Sequence, residues 1–262
     1  MQSFRLYGKY LKIHFLSGLQ YKGWFLMTIQ VLFVVITDPI GILFLFSRFG
    51  QIGVWSVEKV ILIYALAVTS FGLAESFVRG LDIFPWQMIR TGNFDRLLLR
   101  PCPLLLQAAG SSFHIHRLSR SFGGLVAAIW CLRLQEVEPT LLNALVITLA
   151  LCGGFLTYTG VFILTSGLAF FTIRSLDWIY IFTNASYQVA KCPFDYVPRL
   201  LRNVFTFFMP MLVVSYYPAA AVCGWGQPYW KGLLALPAGL TFALFAVSIW
   251  RIGVRHYQST GS

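Results

Sequence analysis

Residues Trp24–Phe46 form the unbroken apolar stretch WFLMTIQVLFVVITDPIGILFLF, in which Asp38 is the only charged residue. An α-helix rises about 1.5 Å per residue, so about 20 apolar residues cross the hydrocarbon core of a lipid bilayer. This stretch is long enough to do so. It therefore predicts a transmembrane helix, and with it a membrane-embedded fold.

The composition of the whole chain supports this interpretation. Of its 262 residues, 58% are hydrophobic and 11% are charged, whereas soluble domains carry about 25% charged residues. The mean hydropathy is +0.72. A net charge of +11 would suggest nucleic acid as the partner of a soluble protein, but lysine and arginine also gather on the cytoplasmic side of membrane proteins. We therefore expect membrane lipids, and no nucleic acid, around this chain.

Six spans are predicted in all, which makes the chain an all-α integral membrane protein. The third span is unusual, because only twelve residues separate Arg120 from Arg133. Its helix must begin earlier, so that His114, Arg117 and Arg120 form one stripe that snorkels to the headgroups or faces protein. The predicted spans are 24–46, 60–77, 113–133, 141–164, 203–223 and 232–250.

Two apolar regions do not fit a simple span. The 35 uncharged residues before Arg174 are too few for two spans, so 141–164 is interpreted as one span with a bent extension. Gly153 and Gly160 within it would permit bending or close helix packing. The 13 residues Trp178–Ala190 are too short to cross the membrane and predict an interfacial or buried segment.

The orientation follows from the distribution of positive charge. With both termini in the cytoplasm, sixteen of the lysines and arginines fall on the inner side and four on the outer side. Residues 1–22 mix aromatic residues, leucines and lysines, as an interfacial helix does, and we expect no cleavable signal peptide. The chain is thus predicted to be one transmembrane domain, 1–262, with cytoplasmic loops at 78–112 and 174–202.

Motifs of catalysis are absent from the sequence. It contains no G-x-S-x-G, no H-E-x-x-H and no P-loop, so any ATP that drives it is expected to be hydrolysed by another chain. His114 and His116 are spaced by two, which directs their side chains to different helix faces, and we predict no metal site. We therefore expect no enzymatic activity and no cofactor in this chain.

Two acidic residues within the spans are candidate functional groups, because ionisable residues in membranes often have a function. Asp38 is predicted near the outer interface, hydrogen-bonded beside Pro39, although it could instead carry protons. Glu75 is predicted at the inner headgroup level, in a solvated ion pair with Arg79 four residues later.

The segment Gly92–Pro101, with the sequence GNFDRLLLRP, lies in the first of these cytoplasmic loops. Gly92 can provide a turn, Asn93 or Asp95 can cap a short helix, and Pro101 can end it. Three consecutive leucines flanked by arginines suit docking into a groove of a soluble partner. A cytoplasmic loop that has no partner would carry the same composition.

This segment resembles the G-x-F-D-x-x-L-L-R-P signature of a bacterial ATP-binding-cassette (ABC) permease family of the type-2 exporter class. Weaker similarity extends to Trp55-Ser56-x-Glu58, to Pro198, and to Pro210 with Tyr217-Pro218-Ala219. The signature residues are Gly92, Phe94, Asp95, Leu98, Leu99, Arg100 and Pro101.

The resemblance implies half of a transporter in the bacterial cytoplasmic (inner) membrane. Two permeases, identical or homologous, would associate with two ATPase subunits, which hold the ATP and Mg²⁺. The loop 78–112 would act as a coupling helix, 174–202 would make a further contact, and the signature residues would contact the ATPase or shape the loop. Substrates of such exporters are typically amphipathic: drugs, lipids, peptides or glycans.

Two other classes of function remain open at this level. A secondary transporter driven by an ion gradient would need a coupling carboxylate, for which Asp38 is the candidate. An integral-membrane enzyme would need His, Asp or Glu clustered at one membrane face, and such residues are scattered in this sequence.

Overall fold

The computed structural model describes residues 2–20, 23–49, 55–172, 177–191 and 198–257. These residues form helices and turns, and no β-strand occurs among them. The helices are α1 (Gln2–Gln20), α2 (Gly23–Phe49), α3 (Val57–Phe77), α4 (Arg79–Phe84), α5 (Phe94–Leu98), α6 (Leu104–Gly110), α7 (Leu118–Leu134), α8 (Leu141–Leu168), α9 (Asp177–Ala190), α10 (Arg199–Asn203), α11 (Met211–Val222), α12 (Tyr229–Leu233) and α13 (Ala235–His256).

Four of the described helical stretches are long and apolar enough to cross a membrane: Gly23–Arg48, Val57–Phe77, Leu141–Leu168 and Tyr229–His256. They coincide with the first, second, fourth and sixth predicted spans. The third predicted span, 113–133, corresponds to α7, which has 17 residues and follows a short 3-10 turn, Ile115–Arg117. The predicted bent extension of the fourth span is instead a continuation of α8 to Leu168.

The fifth predicted span, 203–223, is not one continuous helix. A segment ending at Phe208 and α11 meet at an angle of 92°. The break lies at Met209, whose backbone is extended, immediately before Pro210. Proline disfavours a helical conformation at the preceding residue and lacks an N–H donor, so the helix ends there. Pro218 lies within α11 without ending it.

Helix α3 forms the centre of the bundle. Nearly all of its residues between Val60 and Ser76 are buried, and α7, α8 and α11 pack around it. The pair α8 and α13 makes the most extensive contact, because Gly153 and Gly239 bring the two backbones together. By contrast, α2 leaves most of its apolar surface exposed. That surface is available to lipid or to another protein.

The N-terminal helix lies across one end of this bundle. The Tyr7 hydroxyl donates a hydrogen bond of 2.5 Å to the carbonyl oxygen of Phe77, the last residue of α3. The ring of Tyr10 lies beside Gly110 at the end of α6. Helix α1 thus contacts the ends of α3 and α6, and its location at the membrane interface stays a prediction.

Candidate functional site

The signature segment folds as a turn followed by the five-residue helix α5. Gly92 has a φ of +70°, which glycine adopts at little cost. The side-chain cap predicted for Asn93 does not form, because the backbone of Asn93 is itself helical. Its side-chain amide instead donates to the hydroxyl of Thr91 at 2.8 Å and to the carbonyl of Gln87. The helix ends at Leu98, three residues before Pro101. The predicted turn and short helix are therefore present, with a different hydrogen bond at the start.

The two faces of α5 have opposite environments. Phe94 and Leu97 are buried, whereas Leu99 is 86% exposed and Leu98 is 46% exposed. Arg100 is also exposed. An exposed leucine pair beside an arginine at a chain turn is a compact surface on which a partner can bury apolar area. We call Leu98, Leu99 and Arg100 the coupling surface, after the role that the sequence predicts for this loop.

The other signature residues differ in their burial. Gly92 and Asp95 are partly buried, and Pro101 is exposed. Phe94 is fully buried, so it shapes the loop and does not reach a partner. Its ring packs edge-on against Phe170, with centroids 5.1 Å apart, and against Tyr257 at 4.8 Å. These two residues follow α8 and α13, so Phe94 fastens the coupling surface to the ends of two long helices.

Sequence analysis did not identify Phe170 and Tyr257 as functional residues. They lie far from Phe94 in the chain, and an aromatic residue at a helix end carries no distinguishing pattern. Of the predicted loop 174–202, residues 174–176 and 192–197 lie outside the described part of the chain. Within that range, α9 is packed on the bundle: Tyr187 stacks on Phe71 of α3 with centroids 4.2 Å apart. The buried alternative for Trp178–Ala190 thus fits Tyr187.

Glu75 lies in a buried ion cluster at the end of α3. Its carboxylate accepts from Arg79 at 2.9 Å, Arg117 at 2.9 Å and Arg120 at 2.6 Å, and its side chain is 4% exposed. The predicted pair with Arg79 is confirmed, but the prediction that it is solvated is wrong. Arg117 and Arg120 face protein because they approach the carboxylate from α7 and the turn before it. The cluster therefore joins α3 to the start of α7.

The charges in this cluster do not balance. Arg79 also contacts Asp82 at 2.6 Å, so three guanidinium groups face two carboxylates. Burial raises the pKa of Asp82, an effect that Arg79 partly opposes. The cluster retains a net positive charge even if both carboxylates are ionised.

Asp38 has a partner on α9's C-terminal end. Its carboxylate lies 3.3 Å from the ammonium group of Lys191, which also lies over the ring of Tyr187 at 4.2 Å. Asp38 is 15 residues into α2, about 22 Å along its axis. Lys191, which belongs to the predicted loop 174–202, therefore places its ammonium group beside the middle of α2.

The described residues contain no group of three or more His, Cys, Asp or Glu side chains that could hold a metal ion. The rings of His114 and His116 lie 5.3 Å apart and nearly perpendicular to each other. Both border the arginine cluster, which makes a bound cation electrostatically unfavourable there.

Comparison with known proteins gives one match. A family model described as "ABC-2 family transporter protein" matches residues 32–261, which is all but the first 31 residues and the last. No curated protein and no solved structure matches the chain.

Proposed function

Because the chain belongs to the ABC-2 family of transporter proteins, we propose that it is the permease subunit of an ATP-driven exporter. It is a multi-pass membrane protein with apolar spanning helices, in keeping with that family. In this proposal two permeases form the pathway, and two separate ATPase subunits, which carry ATP and Mg²⁺, bind them from the cytoplasm of a bacterial cell. Substrates are amphipathic.

The main support for this proposal is that the exposed coupling surface lies next to the buried ring of Phe94. A partner that pushes on Leu98, Leu99 and Arg100 moves Phe94, and Phe94 packs against the residues that follow α8 and α13. Closure of an ATPase dimer on binding ATP would thereby tilt these helices. Nucleotide shifts the permease between two conformations only if the contacts with the ATPase differ between them. The packing of Phe94 against the ends of α8 and α13 would make these contacts depend on how the two helices are tilted.

The proposal predicts that the coupling surface binds the ATPase. Arg100→Glu or Leu99→Asp should weaken association with a P-loop ATPase encoded next to this gene by at least about tenfold, because each places a carboxylate in the contact. The measurement is co-purification of the two chains from detergent-solubilised membranes. Asp95→Lys should act similarly, although Asp95 is partly buried and its change also disturbs the loop.

Two variants serve as matched controls for that experiment. Arg133→Glu and Leu141→Asp make the same changes at exposed residues on the opposite side of the protein. Both should retain the ATPase. If Arg100→Glu and Leu99→Asp retain it as well, together with ATP-driven transport, the ATPase does not dock at this surface.

The ion-gradient alternative makes a different prediction for Asp38. Asp38 forms a partly exposed ion pair, so Asp38→Asn should change ATP-driven transport by no more than about twofold. Transport into inverted vesicles should persist when a protonophore collapses the proton gradient. Loss of transport in both conditions would identify a secondary transporter that uses this carboxylate.

A further inference from the structure

A cavity of about 390 Å³ lies between α2, α4 and the start of α7, next to the Glu75 cluster. One wall is basic and carries Arg79, Arg117 and Arg120 with the two imidazoles of His114 and His116. Glu75 lies behind these arginines. Among the described residues that line the cavity there is no carboxylate. The cavity therefore presents hydrogen-bond donors and positive charge to whatever enters it.

The arginines retain donors that the carboxylates do not use. The contacts of Arg117 and Arg120 with Glu75 both involve Nη1. Within the part of the chain that the structure describes, Nε of both arginines and Nδ1 of His114 are buried without a hydrogen-bond partner. Buried polar groups in folded proteins are usually satisfied. Together with the excess of guanidinium over carboxylate, this arrangement fits a basic site that binds one further anion.

The opposite wall belongs to α2 and, apart from Gln30, is apolar. Met27, Val31 and Val34 line it. The wall continues onto the exposed apolar face of the same helix, where Phe33 is 68% exposed. An acyl chain can lie along this face while its headgroup occupies the cavity, since α2 buries little of its own surface.

The position of Gln30 gives the depth of the cavity. Gln30 lines the cavity, is exposed, and lies seven residues after the start of α2, about 10 Å along its axis. The headgroup layer on each side of the roughly 30 Å hydrocarbon core is only about 5–7 Å thick, so Gln30 lies a few Å inside the edge of the core. A lipid headgroup beside α2 therefore reaches the basic wall only by entering the cavity.

We propose that this cavity binds the phosphate headgroup of a singly charged anionic amphiphile that enters from the adjacent lipid leaflet. Its acyl chain lies on α2, and its phosphate is held by Arg117 and Arg120. If the bound amphiphile is the exported substrate, the proposal rests on the proposed export function. It then narrows the substrate class of the exporter to anionic, phosphate-bearing amphiphiles. Binding of the amphiphile to this cavity requires no ATPase.

Binding is tested on the purified full chain in a non-ionic detergent. Lysophosphatidylglycerol is the probe, with lysophosphatidylcholine of the same acyl chain as the zwitterionic comparison and glycerophosphoglycerol as the headgroup without a chain. We expect lysophosphatidylglycerol to bind at least about tenfold more tightly than either, measured by intrinsic tryptophan fluorescence. Equal binding of lysophosphatidylcholine would overturn the anionic site. Equal binding of glycerophosphoglycerol would overturn the role of the acyl chain.

One substitution tests the site without removing any partner of Glu75. Gln30→Glu is almost isosteric and adds a negative charge to the cavity, so it should weaken lysophosphatidylglycerol binding by about tenfold or more. Gln20→Glu makes the same change at an exposed residue of α1 and should leave binding unchanged. If both variants bind like the wild type, the cluster has only a structural role.

The two proposals fail in different ways. If the ATPase co-purifies with the chain but the probes bind equally, the headgroup site is wrong and the permease function stands. If Gln30→Glu weakens binding of the anionic probe but no ATPase associates with the chain, the site stands and the ATP-driven function is wrong.

Discussion

Glu75→Gln should destabilise the folded protein by about 3 kcal/mol, because it removes the buried carboxylate that three partly buried arginines contact. The amide has nearly the same shape as the carboxylate, so packing is preserved and the effect is electrostatic. Arg117 and Arg120 would repel each other in a region where burial weakens screening. The measurement is thermal unfolding of the purified protein, followed by size-exclusion chromatography after heating.

Two further variants give this prediction its control. Glu58→Gln changes a carboxylate in the first turn of the same helix, where only a contribution of about 0.3–1 kcal/mol from the helix dipole is expected. The double variant Glu75→Gln with Arg117→Gln should cost less than the sum of the single changes, because it removes charge from both sides. The charges of the cluster would not be coupled if the losses of stability in the double variant were additive. The same would follow if the Glu75→Gln protein were as stable as the Glu58→Gln protein.

Gly153→Leu should destabilise the protein by about 3 kcal/mol or more, since it forces α8 and α13 apart. A Cβ atom at Gly153 would overlap the carbonyl oxygen of Ala235. The overlap is with backbone, which cannot rotate away as a flexible side chain can. The yield of folded protein in detergent and its unfolding temperature report the loss.

Gly41→Leu is the matched control for this substitution. Gly41 lies inside α2, and nothing lies within 4 Å of a Cβ added there. The same increase in side-chain size should therefore be tolerated. A Gly153→Leu protein that unfolds at the same temperature as Gly41→Leu would mean that the close contact of α8 and α13 does not contribute to stability.

Hydropathy predicted most of the long helices correctly. The membrane imposes a length on every spanning helix, so the count of apolar residues located α2, α3, α8 and α13 to within a few residues. It failed at 203–223, where the composition is apolar throughout but the backbone turns at Met209 and Pro210. A membrane helix can contain proline. Whether the proline bends or ends the helix depends on whether neighbouring groups hydrogen-bond the backbone atoms that it leaves without a partner.

The types of adjacent residues similarly predicted the local conformation of the candidate site, but not which of its side chains are exposed. A glycine turn, a short helix and a terminating proline are properties of adjacent residues, and they are present around α5. The signature did not distinguish Phe94, which is buried, from Leu99, which is exposed. That difference depends on Phe170 and Tyr257, which the fold brings to Phe94 from distant parts of the chain.

Composition, charge distribution and turn chemistry were sufficient to establish a helical membrane protein with a basic, leucine-bearing loop, because each is governed by the solvent or by neighbouring residues. Two of the three arginines that surround Glu75, by contrast, come from 42 and 45 residues away. Helix packing alone brings them to one carboxylate and opens a cavity beside them. Since a linear pattern contains no distances between helices, the difference between a solvated ion pair and a buried basic site becomes visible only in the folded chain.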